Sequence, residues 1–227
     1  MHNTFIIGCS FTDPEWQQEV PWSVQLSKTI PCYISAKAGM GIKGICTEGL
    51  AWLKTLNQIN TVIVILPTLW RIDIEVDSET YLCNAMTNLI EANGGKYIIK
   101  SQTTRKWITS GGLNFDSTTE QAAIFQFILK HQGYLVLLKE HLRALQTLIE
   151  YCKINNINIR ISAIQDPLTQ LNGIEYIADS VMSLLDEVDY NNWFRFNGAF
   201  IDDFLGHKHH PTTSEHTLLC EHIIKQF

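Results

Sequence analysis

The feature that most constrains the fold is the run Thr61-Val62-Ile63-Val64-Ile65-Leu66, closed by Pro67. It is β-branched through its first five positions and shows no apolar–polar alternation. A strand of this kind hides both faces, as parallel strands covered by helices on each side do. A second run, Phe5-Ile6-Ile7, ends at Gly8, a short strand is read around Cys32 to Ser35, and residues 157–164 read as a further strand. Between them lie segments of helical spacing. Residues 21–29 carry proline in the first turn and Trp22, Val24 and Leu26 for packing. Residues 43–56 carry Ile45, Leu50, Leu53 and Leu56, and the stretch after Pro211 carries Leu218, Leu219, Ile223 and Ile224. Strands alternating with helices imply parallel strands joined by right-handed crossovers. The 227 residues suit one α/β domain.

The middle of the chain departs from this rhythm. Residues 79–92 read as a helix. Residues 93–115 hold Gly94-Gly95 and Gly111-Gly112 and one short strand at Tyr97-Ile98-Ile99. Residues 120–153 read as a long helical region with a kink at Gly133, and Leu135, Leu138, Leu142, Leu145 and Leu148 give it an apolar stripe. That stripe serves either core packing or a homodimer. Residues 93–153 are therefore expected to form a helical insertion in a single domain spanning 1–227.

Apolar residues make up 45% of the chain, enough for a sizeable core, and only 18% are charged, against a usual share of about 25%. A net charge of -6 lacks the basic footprint of a nucleic-acid binder. No apolar run approaches the roughly 20 residues that span a bilayer, so neither nucleic acid nor membrane is an expected partner. The six cysteines are scattered and none is spaced CxxC. His2-Asn3-Thr4 leads straight into the first strand, so reduced thiols and a cytoplasmic location are expected.

Two local patterns carry chemistry. In Gly8-Cys9-Ser10-Phe11-Thr12 a buried strand stops at glycine and presents a serine at the sheet rim, where ligand sites of α/β sheets lie. Near the other end, His207-Lys208-His209-His210-Pro211 precedes the last helix and can reach the same rim. Serine needs an adjacent base to accept its proton, and His210 is the candidate. Taken singly, Ser10 reads as a turn or cap residue and the histidines as a solvated loop. His207, His209 and His210 also have the chemistry to chelate zinc, nickel or copper, but no cysteine or carboxylate ligand stands beside them in sequence, and no metal is expected. Arg71 suits a substrate carboxylate, phosphate or sugar hydroxyl, or an ion pair with Asp73 or Glu75. Trp16, Trp22, Trp70, Trp107 and Trp193 include either a carbohydrate platform or core residues. Gly39-Met40-Gly41-Ile42-Lys43-Gly44 has the outline of a dinucleotide fingerprint, without the strand-borne acid about 20 residues on. No cofactor is implied.

These blocks, in this order, resemble the SGNH (GDSL-like) hydrolases, in particular a GCSFT-type branch found in viral and bacterial proteins. The resemblance implies a three-layer α/β/α, flavodoxin-like fold, with a host-cytoplasm location if viral. It puts Ser10 at the nucleophile position and His210 at the base. The backbone N–H groups of Ser10 and Gly39 would form the oxyanion hole. The third block normally reads Gly-x-Asn-Asp; here Leu66-Pro67-Thr68-Leu69-Trp70-Arg71 follows the strand. Thr68 is then the nearest oxyanion donor in place of Asn, and Trp70 and Arg71 are substrate-binding candidates. Losing one such donor costs on the order of 10²–10³ in rate. The last block normally reads Asp-x-x-His, with His207 here in place of the Asp and His216 as the second histidine. Loss of the orienting acid costs roughly 10⁴; Asp203, its neighbour Asp202, or more weakly His207 is expected to substitute. The implied activity is hydrolysis or transfer of a small acyl ester, a carbohydrate O-acetyl group included. The alternative is an impaired relative that only binds or assembles.

Overall fold

The computed structural model describes residues 3–16, 19–69, 71–77, 83, 85–110, 120–171 and 182–226. The chain begins with β1 (Thr4–Gly8), α1 (Trp22–Leu26), β2 (Cys32–Ala36), α2 (Ile42–Leu53) and β3 (Thr61–Leu66). There follow β4 (Asp73–Val76), β5 (Asn88–Asn93), β6 (Lys96–Gln102), β7 (Lys106–Thr109), α3 (Glu120–Gln132), α4 (Tyr134–Ile154) and β8 (Asn158–Ala163). A short helix, α5 (Ile201–Leu205), and the terminal α6 (Thr213–Ile224) complete the order. The main sheet runs β6-β5-β2-β1-β3-β8. Within it β2, β1, β3 and β8 are parallel, while β5 and β6 are antiparallel to their neighbours. The protein is a mixed α/β fold with a mostly parallel central sheet.

The lack of alternation in the central strands is explained by what covers them. Phe5, Ile7, Val62 and Val64 face one side, where Ile45 and Leu53 of α2 and Leu138, Leu142, Leu145 and Leu148 of α4 meet them. Ile6, Ile34, Ile63 and Ile65 face the other side, against Trp22 and Leu26 of α1 and Leu219 and Ile223 of α6. All of these side chains are fully buried or nearly so. Each such aliphatic contributes about 1.5–3 kcal/mol, so both helical layers are held by the same strands.

Three expectations are corrected. Residues 88–93 are not the end of a helix but strand β5, paired with β2 on one edge and β6 on the other; residues 78–82 and 84 lie outside the described residues. Residues 93–153 are not a helical insertion as a block, because β6 and β7 occupy their first part and α4 is the helix between β3 and β8, packed into the core. The leucine stripe packs inside the chain, with Leu138, Leu145 and Leu148 all fully buried. The kink expected at Gly133 is a full break. Gly133 sits at φ 77, a left-handed conformation suited to glycine, and separates α3 from α4. All six cysteines are unpaired. Among the described residues no helix is long and apolar enough to cross a membrane.

Candidate active site

Because β2, β1 and β3 are parallel neighbours, the loops that leave them open on one edge of the sheet. The chain passes from β1 to β2 on one side and then to β3 on the other, which makes this edge a topological switch point. Crevices that bind ligands form there. The expected site residues Ser10, Gly39, Thr68 and Arg71 all leave these three strands.

Ser10 lies in a tight turn in which Thr12 N–H and Asp13 N–H both donate to Cys9 O, at 2.9 and 3.0 Å. Its side chain is only 2% exposed and Oγ is buried. Gly8 and Thr12 form one packing unit, since a Cβ on Gly8 would overlap Thr12 Oγ1 and stand 2.6 Å from Thr12 Cβ. We therefore expect Gly8→Ala to cost about 2 kcal/mol by overpacking. In a Thr12→Gly background the same change should cost at least about 1 kcal/mol less, a coupling that a double-mutant cycle of denaturation midpoints measures; strict additivity would refute the pairing.

Asp13, which the sequence reading passed over, ties the first two loops together. Its Oδ2 accepts from Ala38 N–H at 2.9 Å and its Oδ1 from Glu15 N–H at 3.0 Å. Burial raises its pKa, against the pull of those two amides. The Ala38 bond holds the turn in which Gly39 takes φ 80. Met40 N–H is spent on Lys37 O, but Gly39 N–H has no acceptor among the described residues, leaving it available to an oxyanion. Thr68 is half-buried, and its carbonyl accepts from Arg71 N–H at 3.2 Å. Trp70 lies outside the described residues.

Asp73 is neither a surface residue nor the ion-pair partner expected for Arg71. It is 1% exposed, and its two oxygens accept from Gly41 N–H (2.7 Å) and Gly44 N–H (2.8 Å), satisfying the start of α2 from a distant strand. This is what the glycines of the apparent dinucleotide pattern serve: a Cβ on Gly41 would run into Arg71 O, and one on Gly44 would stand 3.0 Å from Asp73 Oδ2. Glu75, the other candidate partner of Arg71, lies 3.7 Å from Arg105 instead.

His210 stands exposed on the same rim, its ring 4.9 Å from that of Phe11 at 55°, so the structure packs the candidate base on the residue that follows Ser10. Partial burial first, and the charge of Arg71 second, hold its pKa below the usual histidine value. His216 lies fully buried in the first turns of α6 and is pushed down to about 4, chiefly by burial and then by the charge of His210.

Two of the residues expected to orient His210, His207 and Asp203, are placed elsewhere. His207 Nε2 is 2.7 Å from Glu215 Oε1 and its Nδ1 accepts from His209 N–H at 3.2 Å, so both ring nitrogens are engaged. Glu215 is fixed there because its Oε2 and the Thr212 hydroxyl close a capping box on α6. Asp203 is exposed on α5. The phase of that short helix buries Asp202 instead, whose Oδ2 accepts from Gln165 Nε2 at 2.7 Å. Burial raises the Asp202 pKa, and among its charged neighbours are Lys208 and His207. His207 and His209 stack with ring centroids 6.0 Å apart while His210 packs on Phe11, and among the described residues no group of His, Cys, Asp or Glu is arranged to hold a metal ion. Trp22, Trp107 and Trp193 belong to the core, whereas Trp16 is 61% exposed. No family model matches the chain, and no curated protein matches it.

Proposed function

We propose that the chain is a hydrolase of the SGNH (GDSL-like) type, with a three-layer α/β/α, flavodoxin-like fold, that cleaves or transfers a small acyl group from an ester. A carbohydrate O-acetyl group is the favoured substrate class. The observation that carries this reading is the placing of His210 against Phe11, which puts a base beside the Ser10 turn at the switch point of the sheet. Ser10 Oγ attacks the ester carbonyl while its proton passes to His210, whose depressed pKa keeps it neutral and ready to accept at pH 7. The tetrahedral oxyanion takes hydrogen bonds from Gly39 N–H and Ser10 N–H, with the Thr68 hydroxyl in reach of the same edge. His210 returns the proton to the leaving alcohol as the C–O bond breaks. Water, activated by His210, then releases the acyl group from Ser10 as the acid. His207 is tied to Glu215 and Asp203 lies in solvent, so neither is assigned a part in this chemistry.

The test is covalent labelling by a fluorophosphonate probe, followed by mass spectrometry. Wild-type protein is expected to be labelled on Ser10, and Ser10→Ala and His210→Ala, checked by circular dichroism to be folded, are expected to show none. Labelling that survives Ser10→Ala would refute the mechanism. One observation favours a second reading, a protein that keeps the fold to bind or assemble rather than to cleave. Ser10 Oγ is buried, and two clefts, of about 490 and about 260 Å³, are lined by other residues, including Pro14, Val20 and Tyr97 in one and Glu48, Trp52 and Arg105 in the other. Failure of the wild type to label would select that reading.

A further inference from the structure

Arg71 brings to this rim a positive charge with no ion-pair partner among the described residues. Its backbone is fixed, because Arg71 O sits against Gly41 where only a glycine leaves room. Both acids near it in sequence are engaged, Asp73 by the two amides of α2 and Glu75 beside Arg105. Its Nη1 is buried without a hydrogen-bond partner, and among the described residues it makes no ion pair. The residue as a whole is only half-buried. Its charge acts on both Asp73 and His210, so Arg71 belongs to the part of the rim that holds the start of α2 and the candidate base.

From this placement we infer that the site takes an ester bearing an oxyanion, a carboxylate or a phosphate, which Arg71 binds while Ser10 attacks. The inference rests on the hydrolase reading above and names the substrate class for it. Two physical reasons support it. A guanidinium presents a planar fork of donors that matches a carboxylate or phosphate. In addition, proton transfer from Ser10 makes His210 a cation, and the positive charge of Arg71 opposes that charge in the transition state. A substrate anion seated on Arg71 offsets the repulsion at the moment it arises, so an anionic ester gains in the chemical step and not only in binding.

The experiment compares kcat/KM for phenyl acetate, 4-acetoxybenzoate, 4-acetoxyphenyl phosphate and monophenyl succinate, using wild type, Arg71→Gln and Arg71→Lys. The probes place a carboxylate or phosphate on the alcohol side, or a carboxylate on the acyl side, of otherwise similar esters. Wild type is expected to prefer at least one anionic ester over phenyl acetate by about 10–100-fold, the range of one hydrogen-bonded charge pair. Arg71→Gln should bring that ratio to about one, and Arg71→Lys should restore part of it. A wild-type ratio near one, with phenyl acetate turned over and Ser10 labelled, would overturn the inference and leave the hydrolase standing. Absence of both labelling and turnover would overturn the two together.

Discussion

Gly41→Ala should destabilise the fold by about 3 kcal/mol, although the substitution adds a single methyl group. The backbone at Gly41 is at φ -92 and ψ -172, which any residue adopts, so conformational strain contributes nothing. The cost is steric. The added Cβ would overlap the Arg71 carbonyl oxygen and stand 2.8 Å from both the Arg71 carbonyl carbon and Asp73 Oδ2. Two of those three atoms are backbone and cannot rotate away. Relief requires the loop after β3 to retreat, and that retreat pulls Asp73 from Gly41 N–H and Gly44 N–H. Overpacking of about 1–3 kcal/mol is then joined by about 1–2 kcal/mol from loosened hydrogen bonds to the buried Asp73 carboxyl. Urea denaturation of the variant, with unchanged m-value, measures the loss. A loss under about 1 kcal/mol would mean that the loop carrying Thr68 and Arg71 moves freely, and the pre-set position of Arg71 would have to be abandoned.

What could be read in one dimension follows from what each residue depends on. β3 was legible because its β-branched run states its own burial; Gly133 was legible only as a kink, because a glycine weakens a helix without saying whether it ends it, as Gly44 and Gly49 inside α2 show. β5 was not. Asn-Leu-Ile-Glu-Ala-Asn contains mostly poor strand formers, and pairing on both edges with β2 and β6 decides its conformation against local propensity. The site divides in the same way. The common edge that carries Ser10 and His210 was legible because each stands beside a local signal, glycine after a strand and proline before a helix. Asp73 was not, since between Arg71 and Glu75 it looks like one charge in a surface row, and only the folded sheet sets it against amides some thirty residues earlier. His207 is instructive too. The Thr212-to-Glu215 capping box is a local pattern and readable, but the grip of Glu215 on a histidine eight residues upstream needs the loop in three dimensions.

Asp73 and His141 should make the pH dependence of stability of the wild type flatter than that of either single variant. His141 on α4 is fully buried, accepts a long 3.5 Å hydrogen bond from Asp73 N–H, and is pushed down to about 3 by burial first and by the charge of Lys43 second. Asp73 is pushed up to about 7 by burial, against the pull of its two amide donors. Consider the histidine alone. The unfolded chain gains a proton on it as pH falls through about 6.5 while the folded chain stays neutral, so stability is full above pH 6.5 and falls by up to about 5 kcal/mol on the way to pH 3. The aspartate acts in the opposite direction. The folded chain takes up its proton near pH 7 and the unfolded chain only near 4, so stability rises by up to about 4 kcal/mol as pH falls between those values. In the wild type the two slopes oppose each other from about pH 6.5 to 4, and a net loss from this pair appears only below pH 4. His141→Leu keeps the aspartate alone, and its stability relative to wild type should climb as pH drops from 6.5. Asp73→Asn keeps the histidine alone, and its stability relative to wild type should fall over the same interval. Slopes rather than absolute values carry the result, because each substitution also shifts stability by a pH-independent amount, while Glu48 and His216 titrate alike in all three proteins and cancel. Chemical denaturation at half-unit steps from pH 4 to 7.5 provides the curves. Three parallel curves would show that neither buried group holds its unusual charge state in the folded protein.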